Sequence, residues 1–246
     1  MWGSEWDLPT LIKNCQDTKF KGVELRTTHK HGVEIPLSKQ QRGEVAQRFA
    51  DSGIILVGLG SACEYHSADP AVVKKNIEET KAFIELCHDV GGSGVKVRPN
   101  GLTKGKSEAE SLAQIGAALR ECAEFGAGYG VEIRLEVHGK DTSDLPRIKT
   151  IMEHANHEGA RVCWNSNPGD MNGKGLAANF EMVRKYFGQT MHIHDLTSDY
   201  PWMELFGLLK KSKYEGWTLV EEGKTADPVR VMKYYRMLWD RMTAAA

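Results

Sequence analysis

The sequence predicts a parallel α/β barrel. Short β-rich stretches alternate with amphipathic ones at regular spacing, the 246 residues match the roughly 250 typical of one such barrel, and metal-friendly side chains stand near the ends of four successive strand-like segments. In chain order, an amphipathic segment from about Leu8 to Phe20 comes first, with no strand ahead of it. The strand GVELR (22 to 26) follows, then a helix opened by the capping box Ser38 and Gln41. IILVGLG (54 to 60) is the second strand, and Asp69-Pro70 places a cap before a first-turn proline to start the next helix. GGSG (91 to 94) turns into GVKVRP (94 to 99), and Ser107 with Glu110 forms a second capping box. VEIRLEV (131 to 137), ARVCWN (160 to 165), TMHIHDL (190 to 196) and WTLVEE (217 to 222) complete seven strands, and Asp227-Pro228 opens the last helix.

Eight strands close such a barrel and seven leave two unpaired edges. The expected fold is therefore a TIM-type barrel over residues 1 to 246 as a single domain, its first strand missing or irregular. A local opening or an oligomer contact is expected beside GVELR. There is no Pro-, Gly- or Ser-rich linker, no low-complexity tract and no repeat beyond the βα period.

Composition excludes several classes. The 32 basic and 33 acidic residues are interleaved, giving a formal charge of −1 and no field that favours nucleic acid or an anionic membrane. No apolar run approaches the ~20 residues needed to cross a bilayer, and MWGSEWD lacks a basic and apolar leader, so a cytoplasmic protein, or one whose leader has been removed, is expected. Five scattered cysteines (Cys15, Cys63, Cys87, Cys122, Cys163) form no CxxC pair, which argues against a disulfide framework or a structural zinc knuckle. Cys163 and Cys63 lie near the expected active face, but a cysteine in a buried strand is usually a small apolar filler.

The chemistry gathers in the second half. Glu136 in RLEVHG, Asn165 in CWNSN, His192 and His194 in HIHD, and Glu221 in LVEEG sit near the C-terminal ends of their strands, the face where parallel barrels place their sites. Residues two apart share a face of a strand, so Glu136 pairs with His138, and His192 with His194. Carboxylate, amide oxygen and imidazole together suit an open site for Mn²⁺, with Mg²⁺, Co²⁺ or Zn²⁺ as alternatives. Glu24 with Arg26, Lys96 with Arg98, and Glu64 with His66 are further polar groups at strand ends, expected to contact substrate or to form an ion-pair layer such as Glu24 with Arg98. Trp164 and Trp202 could stack on a ligand or belong to the core. His29 and His31 are expected to be loop residues.

These motifs, in this order, resemble the xylose isomerase-like barrels of the sugar phosphate isomerase/epimerase superfamily, which includes endonuclease IV, inosose dehydratase and ketose epimerases. The resemblance covers nearly the whole chain. It implies metal ligation by Glu136, by His192 as the first His of an H-x-K/N/H-D motif, and by Glu221 as the Glu of G-x-x-x-x-E. The family's Asp, followed three residues later by His, is here Asn165 followed by Pro168, which removes a charge from the ligand set. The chain does not reproduce the three-metal ligand set of the endonucleases: its other histidines (His29, His31, His66, His138) do not match, and it has no basic stripe. The implied reaction is isomerisation or epimerisation of a sugar or keto-polyol through an enediolate. Glu136 and Glu221 would be the acid/base pair, with raised carboxyl pKa values supplied by a desolvated mouth. A lyase, hydratase or dehydratase acting on a keto-sugar or cyclitol, with His138 or His194 as proton donor, and a noncatalytic sugar-binding barrel are the alternatives. No Gly-rich phosphate cradle accompanies the GKT at 223 to 225.

Overall fold

The computed structural model describes residues 1–246. Seven strands, β1 (Gly22–Arg26), β2 (Ile55–Glu64), β3 (Gly94–Arg98), β4 (Glu132–Glu136), β5 (Ala160–Trp164), β6 (Phe187–Ile193) and β7 (Trp217–Val220), pair in parallel in sequence order. Eight helices flank them: α1 (Leu8–Asp17), α2 (Lys39–Ser52), α3 (Pro70–Asp89), α4 (Glu108–Ala127), α5 (Leu145–Ala155), α6 (Leu176–Val183), α7 (Trp202–Lys211) and α8 (Pro228–Ala245). The chain is thus a TIM-type barrel that is nearly closed, as the alternation predicts. No helix is long and apolar enough to cross a membrane.

The predicted helix starts hold for a local reason. Ser38 and Ser107 each accept from the backbone three residues on, and the side chains of Gln41 and Glu110 reach back to the cap N–H, so two orphan donors are satisfied in each case. Asp69 and Asp227 accept from Ala71 N and Arg230 N ahead of first-turn prolines. β2 runs four residues further than its apolar run implied, and β6 begins three residues earlier and ends before His194.

β1 and β7 do not pair with each other, which leaves the expected opening beside GVELR. A cavity of about 360 Å³ lies there, lined by Val23 and Leu25 on one edge and Thr218 and Val220 on the other, with Trp2 packed edge-on against Tyr235 at 5.6 Å. Glu24, His192 and Glu221 also reach it, so the cleft opens onto the polar end of the barrel.

The barrel interior holds two charged layers, neither built from Glu24 and Arg98. Arg134 is fully buried, donating to Glu132 Oε1 at 2.7 Å, to the Val57 carbonyl at 3.1 Å and to Ser93 Oγ at 2.9 Å. Gly58 and Gly94 make room for it, since a Cβ at either would come within 2.8 Å and 2.3 Å of its guanidinium. The second layer contains Lys96 and Glu136. All five cysteines are free and buried. Burial pushes the thiols of Cys15 and Cys122 up to about 11 and that of Cys87 to about 12, which suits fillers better than nucleophiles.

Candidate metal centre

Strand ends assemble the centre. Glu136 closes β4, His192 is the penultimate residue of β6, and Asn165 and Glu221 are the first residues beyond β5 and β7. One ligand atom from each of Glu136, His192 and Glu221 lies within 4.8 Å of the others. His192 Nδ1 is 3.2 Å from Glu221 Oε2 and 3.6 Å from Glu136 Oε1, and its Nε2 is 3.4 Å from Glu24 Oε1. Lys96 Nζ donates to Glu136 Oε2 at 2.6 Å with both side chains buried.

Charge organises these groups. Burial acts to raise the Glu136 carboxyl, but the Lys96 ammonium and the His192 ring outweigh it and hold the group ionised far below the usual range. Glu221 is pulled down to about 2, because contact with His192 overcomes its own burial. Burial disfavours an imidazolium at His192, yet Cys163, Glu136 and Glu221 around the ring raise its pKa well above the ordinary value. The raised carboxyl pKa expected of a desolvated mouth is therefore reversed here, because two cationic side chains face the glutamates.

The donor atoms fit a divalent cation. Asn165 Oδ1 is buried without any hydrogen-bond partner, and His192 Nδ1, which faces the Glu136 and Glu221 carboxylates, makes no aligned hydrogen bond to either. Leaving such atoms unpaired costs about 1–3 kcal/mol each, and an ion between carboxylate oxygens, an amide oxygen and one imidazole nitrogen would relieve that cost.

The remaining candidates divide. His194 faces backbone carbonyls with both ring nitrogens, Nδ1 toward Glu221 O at 2.9 Å and Nε2 toward Asn165 O at 2.8 Å. It ties together the segments after β5 and β7 and has no ring nitrogen free for the proton-donor role expected of it. Trp164 is also corrected: it is fully buried against Phe180 and Phe187, with Nε1 on Tyr200 Oη at 3.3 Å, so it is core and not a sugar platform. Trp202 is likewise buried. His31 accepts from Val33 N and meets the Arg26 carbonyl, a loop role as expected.

His138 and Glu64, both named from the sequence, are joined by Asn100, which sequence reasoning missed. Asn100 Nδ2 donates to Glu64 Oε2, which orients the amide so that its Oδ1 faces His138 Nδ1 at 2.6 Å. With the amide so oriented, a proton on His138 Nδ1 completes the chain and no hydrogen bond engages Nε2. Asn100 adopts φ 55°, a left-handed conformation for which asparagine is enriched, and that turn residue was its only sequence signal. His66 Nδ1 and Arg98 Nε are buried without partners, while Arg26 lines the cleft.

Asp170 was also missed. It lies in a 3₁₀ turn (Pro168–Met171), is fully buried, and accepts from Tyr200 Oη at 2.8 Å. Burial, only partly offset by that hydrogen bond, pushes its pKa from 3.8 up to about 7. Because the folded value lies above the unfolded one, its protonated form stabilises the fold fully below about pH 4, and the contribution is lost as pH rises through about 7. Asp170→Asn is expected to melt like the parent at about pH 4 and higher than it at about pH 9, with a gain of up to roughly 4 kcal/mol. Calorimetric melts across that range check it, and a gain independent of pH would contradict it.

A family model described as "Xylose isomerase-like TIM barrel" matches residues 12–236, and the chain belongs to that family. It is 22% identical over 258 residues to an L-ribulose 3-epimerase of Methylomonas sp. (strain DH-1), covering 97% of this chain and 89% of that protein. To an L-ribulose 3-epimerase of Mesorhizobium japonicum it is 27% identical over 145 residues, which span 56% of this chain and only 46% of that protein's length. A solved structure of L-ribulose 3-epimerase superposes with a TM-score of 0.82 at 18% identity, covering 99% of this chain and 92% of that one, a likeness of fold.

Proposed function

We propose that this protein is a divalent-metal-dependent epimerase or isomerase of a small sugar or keto-polyol, acting through an enediolate. The observation that carries the reading is the convergence of Glu136 and Glu221 on Nδ1 of His192, with the orphaned Asn165 oxygen at the same end of the barrel. The two relatives named L-ribulose 3-epimerase support a ketose as substrate.

Glu136, Asn165, His192 and Glu221 would hold the cation, which when bound supplies polarisation of a carbonyl and adjacent hydroxyl oxygen. Glu136 and Glu221 are both ionised through the neutral range and can each take a proton from a carbon beside the carbonyl. Glu221 is the freer of the two, 26% exposed at the cleft and without an ammonium partner. The Lys96 ammonium keeps Glu136 charged and offers donors toward an oxygen on which negative charge develops. His138, with Nε2 open, is suited to move protons between substrate hydroxyls, and Arg98 and His66 supply unused hydrogen-bonding atoms for a polyol. Manganese is the expected ion.

Solvent deuterium uptake tests the reading. Ketoses incubated with the Mn²⁺-treated protein in D₂O are expected to gain deuterium at a carbon next to the carbonyl and to yield an epimer or isomer with the skeleton intact. Chelator should abolish both. Loss of water or a cleaved bond would shift the reading to a lyase, and absence of exchange across ketoses and cyclitols would refute it.

A further inference from the structure

Glu24 is buried beside the centre although it lies outside the four-residue donor set. Its side chain, 9% exposed, projects from β1 to the far side of the His192 ring, and its Oε1 is 3.4 Å from His192 Nε2. Two backbone features let it reach there. The β1–β2 register slips between Val23 and Glu24, leaving Val57 of β2 unmatched, an irregularity of the kind that re-aims side chains. On β2, Gly60 leaves the space clear, since a Cβ there would be 3.1 Å from Glu24 Oε1. Lys96, the nearby cation, gives its hydrogen bond to Glu136 and not to Glu24.

The two faces of the His192 ring are therefore distinct. Nδ1 looks toward Glu136 and Glu221, and Nε2 looks toward Glu24. A neutral imidazole carries one proton, and a nitrogen that ligates a cation must be the bare one. We infer that Glu24 is a positioning residue for the metal centre: it accepts the Nε2–H of His192 and so fixes the ring plane and the tautomer that present Nδ1 to a divalent cation. This rests on the metal-dependent reading above. A carboxylate behind a ligating histidine also makes the ligand more basic, a compensation suited to a centre in which Asn165 contributes no charge.

The test uses the full chain, stripped with chelator and titrated with Mn²⁺ by calorimetry. The parent, Glu24→Ala, Glu24→Gln and Glu221→Gln are compared, and ¹⁵N-histidine NMR of the Zn²⁺-loaded forms reads the tautomer. Glu24→Ala is expected to weaken Mn²⁺ binding by roughly 10–100-fold. Glu24→Gln, whose amide oxygen still accepts from Nε2, should recover part of that loss and keep the protonated Nε2 signal. Parent-like affinity in Glu24→Ala would overturn the inference while leaving the metal reading intact. A loss equal to that of Glu221→Gln, with no recovery in Glu24→Gln, would make Glu24 a direct ligand and also overturn it. A parent protein that binds no Mn²⁺ would bring down the metal reading and this inference with it.

Discussion

Glu221→Gln is expected to lower turnover by roughly 10²–10⁴-fold and to loosen the bound cation while the fold persists. The expectation follows from its place: Glu221 stands at the cleft, partly exposed, with His192 as its one charged contact at 3.2 Å. On the proposed reading, removing its charge would deprive the centre of a base and of an anionic donor while leaving no other buried ion stranded. Glu136→Gln should match it in turnover and differ in stability, because Lys96 would lose the carboxylate 2.6 Å away inside the barrel. Metal content, turnover and melting temperature measured together separate the two. Parent-like turnover and metal content in either variant would remove that residue from the mechanism.

The largest stability effect is expected at the other charged layer. Glu132→Ala should cost about 3–5 kcal/mol, because it leaves the guanidinium of Arg134, which has no exposed surface, without its only carboxylate. The variant also strips an acceptor from Gln189 N, which donates to Glu132 Oε1 at 2.8 Å. Urea unfolding reads the loss. The double variant Glu132→Ala with Arg134→Met should regain most of it, since removing both charges is far cheaper than isolating one. A single-variant cost below about 1 kcal/mol would mean that water reaches Arg134 and screens it.

What the sequence by itself determined is local and periodic. Seven β-rich stretches, four capped helix starts and the absence of a strand before α1 are readable because caps act over three residues and strand faces repeat every two. The same logic placed Glu136, Asn165, His192 and Glu221 at one end of the barrel, and three of them meet within 4.8 Å. Only the tertiary structure decided which partners face each other across strands. Lys96 takes Glu136, and Arg134 takes Glu132 where Glu24 with Arg98 was expected; Glu24 instead reaches His192 past Gly60. Trp164 turns into the core, and His194 spends both ring nitrogens on carbonyls. Strand tilt and register slips set these meetings, and they depend on every strand at once; a residue's spacing along its own strand names the face it occupies but not the side chain that comes to meet it.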